Sequence, residues 1–174
     1  MSTCITSSSI RAVLRSMAIV VACLGAVLSG GNDQLNAAEG DVIAVDLKSF
    51  QFKVRDEFNS LFGYDENESK LFYYTSGPGE TMVKLPVDGK YEISIKASCD
   101  PALGERAKFK VILDGQPVGM ETLLTDSNEK EYTLTTTAKA GERKLVIEFT
   151  NDAYKENEYD RNLYIHAVTL KRSK

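Results

Sequence analysis

The chain has 174 residues, with 25 acidic and 21 basic side chains and a formal net charge of −4. That length suits one domain once a leader is set aside. The acidic balance argues against binding nucleic acid through its phosphates and suits capture of a cation.

The N-terminal segment has the layout of a secretory signal. Arg11 and Arg15 precede an apolar run from Met17 to Leu28, too short to span a bilayer comfortably. Small residues follow, including Ala37 and Ala38, as a signal peptidase requires. Val-Val-Ala before Cys23 also fits a lipoprotein signal, but the apolar run continues past that cysteine. The expected division is a signal peptide at 1–38 and one domain at 39–174, secreted, periplasmic or at the cell surface. Cleavage removes two arginines and Asp33, leaving 19 − 24 = −5. Only Cys99 then remains, so no internal disulfide is expected. A chain of roughly 135 residues buries a core without such a staple. No second apolar span follows, so no membrane crossing is expected in the mature form.

The mature part then reads as short strands and turns. Val42 to Leu47 is a first strand. Ser49 to Glu57 alternates weakly through Phe50, Phe52 and Val54, and Asn59 to Ser69 reads as a polar loop. Leu71 to Thr75 is a strand, ended by a turn at Ser76-Gly77-Pro78-Gly79. Thr81 to Leu85 alternates, and Asp88-Gly89 predicts a hairpin turn. Tyr91, Ile93, Ile95 and Ala97 face one way and Glu92, Ser94 and Lys96 the other, one wall of a half-buried sheet. Cys99 to Arg106 is a loop, and Phe109, Val111 and Leu113 mark the next strand. Asp114-Gly115 turns the chain. Glu121 to Glu131 is polar, and the threonine-rich Tyr132 to Ala138 favours a strand. Leu145, Ile147 and Phe149 form another strand, and Leu163 to Leu170 the last, before a basic KRSK tail. No helical periodicity is sustained. The pattern predicts an all-β, antiparallel β-sandwich or barrel.

The stretch from Phe149 to Ile165 holds the chemistry. Asp152, Glu156, Glu158 and Asp160, with Asn151, Asn157 and Asn162, form a loop dense in oxygen donors between two strands. Two readings fit: a solvated acidic hairpin loop, or an oxygen-rich cation site. Asp152 and Asp160 lie eight positions apart, which suits two sides of one loop. Folding back brings their carboxylates together, and a divalent cation relieves the repulsion. Tyr154 and Tyr159 are the loop's aromatic candidates for a ligand-packing face, Tyr159 being the more exposed of the two. Asp100 and Asp126 are weaker candidates for the same rim. His166, the single histidine, sits inside a strand, and no nucleophile elbow, phosphate loop or metalloprotease motif occurs.

The pieces NDAY (Asn151 to Tyr154) and DRNLYI (Asp160 to Ile165), following VIEF and opening the last strand, resemble the closing motif of calcium-dependent, xylan-binding carbohydrate-binding modules. The likeness extends more weakly back to about Tyr91. The resemblance implies a jelly roll. It implies calcium as cofactor, with Asp152 and Asp160 as ligands and Asn151 and Asn162 as supporting polar residues of the metal site. It also implies that hydroxyls of a bound sugar complete the ion's shell. The chain departs from related modules in having no tryptophan. The expected function is a secreted, non-catalytic module binding xylan or a related β-glycan. The alternative is a structural or adhesive extracellular module in which calcium only stabilises the loop.

Overall fold

The structure, a computed structural model, describes residues 42–173 apart from Val54. The expected leader at 1–38 lies outside the described residues. Thirteen strands follow in order. They are β1 (Val42–Ala44), β2 (Phe62–Asp65), β3 (Lys70–Tyr73), β4 (Gly77–Leu85), β5 (Gly89–Asp100), β6 (Lys108–Leu113) and β7 (Gln116–Pro117). After these come β8 (Thr122–Leu123), β9 (Lys130–Ala138), β10 (Gly141–Phe149), β11 (Tyr154–Lys155), β12 (Tyr159–Asp160) and β13 (Asn162–Ser173). One sheet runs β2-β3-β13-β5-β9, with β1 also on β13; the second runs β4-β10-β6-β7, with β8 also on β6. Strands β11 and β12 pair only with each other. Every pairing is antiparallel. The all-β, antiparallel expectation holds.

Alternation explains how the two sheets meet. Tyr91, Ile93, Ile95 and Ala97 of β5, Phe109, Val111 and Leu113 of β6, and Leu145, Ile147 and Phe149 of β10 are all buried in one core. Burying such faces supplies the main driving force, about 25 cal/mol per Å² of apolar surface. The Tyr73 hydroxyl crosses between sheets and donates to the Ile147 carbonyl at 3.2 Å. The Phe109 and Tyr132 rings meet edge to face at 6.0 Å. In β13 the parity changes: Leu163 and Ile165 are buried, then Val168 and Leu170. A bulge between Ile165 and Ala167 makes this possible, because one extra residue turns the following side chains back to the core.

Several local expectations are corrected. The turn expected at Ser76 to Gly79 is displaced, because β4 already begins at Gly77. Pro78 is tolerated there since β4 is an edge strand. Gly79 has a packing reason: a Cβ on it would stand 2.6 Å from the Tyr73 hydroxyl and 2.7 Å from Phe52 Cε1. The loop expected from Asn59 to Ser69 instead takes in the end of a 3-10 helix (Asp56–Leu61), strand β2 and the turn of the β2–β3 hairpin. Its turn is closed by Asp65 Oδ1, which accepts from the Asn67 and Glu68 amides. The polar stretch from Glu121 to Glu131 includes the short strand β8, and β13 runs on into the basic tail as far as Ser173.

Candidate functional site at the sandwich rim

The oxygen-rich stretch is a small hairpin. Tyr154 pairs with Asp160 and Lys155 with Tyr159. The Glu158 amide donates to the Lys155 carbonyl at 3.0 Å, and Asn157 takes a positive φ of 60° at the tip, a conformation asparagine tolerates better than most residues. Folding back places Asp152 and Asp160 on one cavity of about 410 Å³, lined also by Leu61, Tyr74, Thr75 and Tyr154. Glu156 and Glu158 sit exposed toward the tip, and Glu158 pairs with Lys155 at 2.5 Å. They do not join the cavity lining.

Each site side chain has a distinct set of partners. Asp152 Oδ2 accepts from Thr75 Oγ1 at 3.0 Å, and the Asp152 amide donates to Ser76 Oγ at 2.9 Å. Asn151 commits both ends of its amide to backbone: Oδ1 accepts from the Lys108 amide at 2.6 Å and Nδ2 donates to the Arg106 carbonyl at 3.0 Å. It fastens the start of β6 to the hairpin. Asn162 Nδ2 donates to Asp160 Oδ2 at 3.1 Å and to Asp100 Oδ2 at 3.2 Å. Asp100 Oδ2 also accepts from the Tyr164 hydroxyl at 2.6 Å. Asp126 lies elsewhere and caps its own turn through the Asn128 amide. His166 stands on the bulge of β13, with Nε2 2.8 Å from Ser98 Oγ.

The aromatic expectation is corrected in one respect. Tyr154 is the exposed ring, at 63%, whereas Tyr159 is half-buried. The register of β11 on β12 puts Tyr154 opposite Asp160, and Tyr154, not Tyr159, lines the cavity.

Burial pushes the Asp152 carboxyl above the ordinary aspartate range. The Thr75 hydroxyl and Ala153 amide pull it down, while Asp160 adds like-charge repulsion. Asp152 Oδ1 and Asn162 Oδ1 are buried with no hydrogen-bond partner among the described residues. A carboxylate oxygen and an amide oxygen left without donors suit a hard, oxygen-seeking ion. Among the described residues no cluster of three or more His, Cys, Asp or Glu side chains comes together.

Sequence reasoning missed Tyr74, Thr75 and Ser76. Tyr74 follows the buried Tyr73 and so points outward, a period-2 signal present in the chain. Nothing local marks Thr75 and Ser76 as partners of a residue some 75 positions away.

Residues 92–174 match the family model CBM60, the Ca-dependent, xylan-binding carbohydrate-binding modules. No curated protein sequence matches significantly. Among solved structures, the chain is similar to the CBM36-1 domain of a multidomain xylanase from the hindgut metagenome of Trinervitermes trinervoides. That likeness has a TM-score of 0.57 at 12% identity, over 77% of this chain and 99% of that one. It is similar to a family 35 carbohydrate-binding module from Clostridium thermocellum, with a TM-score of 0.52 at 10% identity over 76% and 99%. It is also similar to a CBM36 module solved with calcium and xylotriose, with a TM-score of 0.50 at 12% identity over 76% and 99%. At these identities the structural likeness shows the fold. Residues 92–174 thus carry the sequence pattern of the Ca-dependent, xylan-binding carbohydrate-binding modules, and the chain has a fold shared with carbohydrate-binding modules.

Proposed function

We propose that this protein is a secreted, non-catalytic carbohydrate-binding module. It takes xylan or a related β-glycan at the rim cavity with the help of calcium. Asp152 and Asp160 would hold the ion, with the carbonyl oxygen of Asn162 beside them and Asn151 supporting the loop from behind. A bound calcium supplies a tolerant, oxygen-seeking centre for vicinal sugar hydroxyls. Tyr154 and Tyr74 offer apolar ring faces on the same cavity, while Tyr159 steadies the hairpin. Residues 1–38 are read as the leader and 39–174 as the binding domain.

One observation carries the reading. Two aspartates eight positions apart converge on one cavity, and Asp152 has a buried carboxylate oxygen with no donor. A solvated acidic loop would instead spread its charges and satisfy each from water.

The test is a calorimetric titration of the protein with xylo-oligosaccharides, in calcium and again in EDTA. Binding in calcium that vanishes in EDTA is expected. Equal affinity under both conditions would reject the mechanism.

A further inference from the structure

Between Asp160 and Asn162 lies a residue that the ion chemistry does not use. Arg161 is 4% exposed. Its guanidinium makes three hydrogen bonds, all to backbone carbonyls: Nη1 donates to Asn151 at 2.5 Å, Nη2 to Ala102 at 2.5 Å and Nε to Glu105 at 3.2 Å. The Arg161 amide adds a fourth tie, donating to the Ala153 carbonyl at 3.0 Å. Nη2 also stands 3.8 Å from Glu105 Oε2.

These bonds join two segments that no ladder connects. One is the turn after β5, where Ala102 and Glu105 form an isolated bridge and Leu103 and Gly104 take positive φ. The other is the start of the ion loop at Asn151, one residue before Asp152. A charge buried this deeply is costly unless it is hydrogen-bonded, and here each of the three guanidinium nitrogens donates to a carbonyl oxygen. A planar fork reaches three carbonyls in fixed directions, which a lysine ammonium on a flexible stem does not reproduce.

We propose that Arg161 is the positioning residue of the rim site. It sets the loop carrying Asp152 and Asp160 from inside, without the metal. This rests on the calcium reading above and deepens it. A loop held by the protein's own cation does not need calcium to fold. The carbonyls of Asn151, Ala102 and Glu105 already bear hydrogen bonds from Arg161. Calcium then meets carboxylates already in place, and its free positions serve the glycan. The alternative role, in which calcium merely stiffens the loop, loses its purpose.

The experiment combines amide hydrogen exchange with calcium titration on the same protein. In EDTA, the amides of Arg161 and Asp152 should exchange within about tenfold of their rates in calcium. Free exchange in EDTA with protection only in calcium overturns the proposal. Arg161→Lys, studied well below its melting temperature with an unchanged core spectrum, should bind calcium at least tenfold more weakly. A folded Arg161→Lys of wild-type calcium affinity also overturns it. If Arg161→Lys does not fold, the exchange comparison on the wild type decides. A wild type that binds no calcium but protects the loop in EDTA sinks the calcium reading alone and still supports Arg161 as the loop's organiser.

Discussion

Thr75 Oγ1 donates to Asp152 Oδ2 at 3.0 Å, across 77 positions of sequence. It is the only side-chain hydrogen bond to that carboxylate among the described residues, and it ties the segment after β3 to the loop before β11. Replacing Thr75 with valine keeps the shape and removes the donor. We expect Thr75→Val to lose about 1 kcal/mol of stability in EDTA. The loss should shrink in calcium, because an ion replaces the missing partner. Urea melts under the two conditions check it; an equal loss in both would place the bond outside the ion's reach.

Asp160 and Asp152 repel one another while no cation sits between them. Asp160→Asn should therefore be neutral or slightly stabilising in EDTA, by up to about 1 kcal/mol. In calcium the sign should reverse, since the variant forfeits the binding contribution. Melting temperatures of wild type and variant, each with and without calcium, form the cycle. A variant that still gains stability from calcium as the wild type does would remove Asp160 from the ligand set.

Tyr154 is exposed and lines the cavity. Tyr154→Ala should leave stability within about 0.5 kcal/mol and lower xylo-oligosaccharide affinity about tenfold, near 1.4 kcal/mol. Calcium affinity should not change. Half-buried Tyr159 should behave the other way, with its alanine variant destabilised. Sugar titrations set beside thermal melts separate the two rings, and a Tyr154→Ala protein with undiminished sugar affinity would place the sugar elsewhere.

His166 supplies a pH dependence. Burial holds its pKa below the usual histidine value, and Lys70 and Lys96 push the same way, while Glu129 and Glu68 pull it up. Its Nδ1 lies 3.3 Å from Glu129 and its Nε2 faces Ser98. The unfolded chain therefore takes up the proton first, near pH 6.5. The stability is present above that value and is lost as pH falls from about 6.5 through the folded pKa. Urea midpoints should drop between about pH 7.5 and 5.5, and His166→Gln should flatten that drop. Asp152, raised by burial, contributes with the opposite sign, but it is common to both proteins. Identical slopes would acquit His166.

Gly79 has no room for a methyl group. A Cβ there meets the Tyr73 hydroxyl at 2.6 Å and Phe52 Cε1 at 2.7 Å, and Tyr73 is fully buried. Gly79→Ala should cost about 1–3 kcal/mol by overpacking. A denaturant midpoint indistinguishable from wild type would show that the Phe52 ring moves aside freely.

Much of the sandwich was legible because alternation is local. Tyr91 to Ala97 and Phe109 to Leu113 announce their buried faces without any knowledge of their partners. The shift in β13 was not legible, because Ala167 continues the alternation of Leu163 and Ile165 and only the pairing with β5 shows the bulge. The β2–β3 hairpin was not legible, because Phe62 and Tyr64 flank a glycine within a polar stretch, and the packing of Phe72 against Gly63 is a tertiary event. At the rim, acid content alone left a solvated loop and a cation site both open, and it was the resemblance of NDAY and DRNLYI that singled out Asp152 and Asp160. The ordering of Tyr154 and Tyr159 by exposure was not readable, because it depends on the register of a two-residue pairing. Arg161 stood inside a recognised motif, yet its role lies in carbonyls of distant segments that carry no side-chain signature.

Strand β13 occupies the middle of its sheet, between β3 and β5, whose own positions lie some sixty to ninety residues earlier. The β4–β10 and β10–β6 ladders already set Gly77 and Phe109 opposite Phe149, close to Asp152, but Asp160, Arg161 and Asn162 reach the rim only when β13 docks, and closing so long an interval is entropically slow. Recognition and core assembly are thereby one kinetic event. A half-folded chain would have no partial affinity for its target, and the appearance of binding during refolding should track burial of Leu163 and Ile165 on a single time constant.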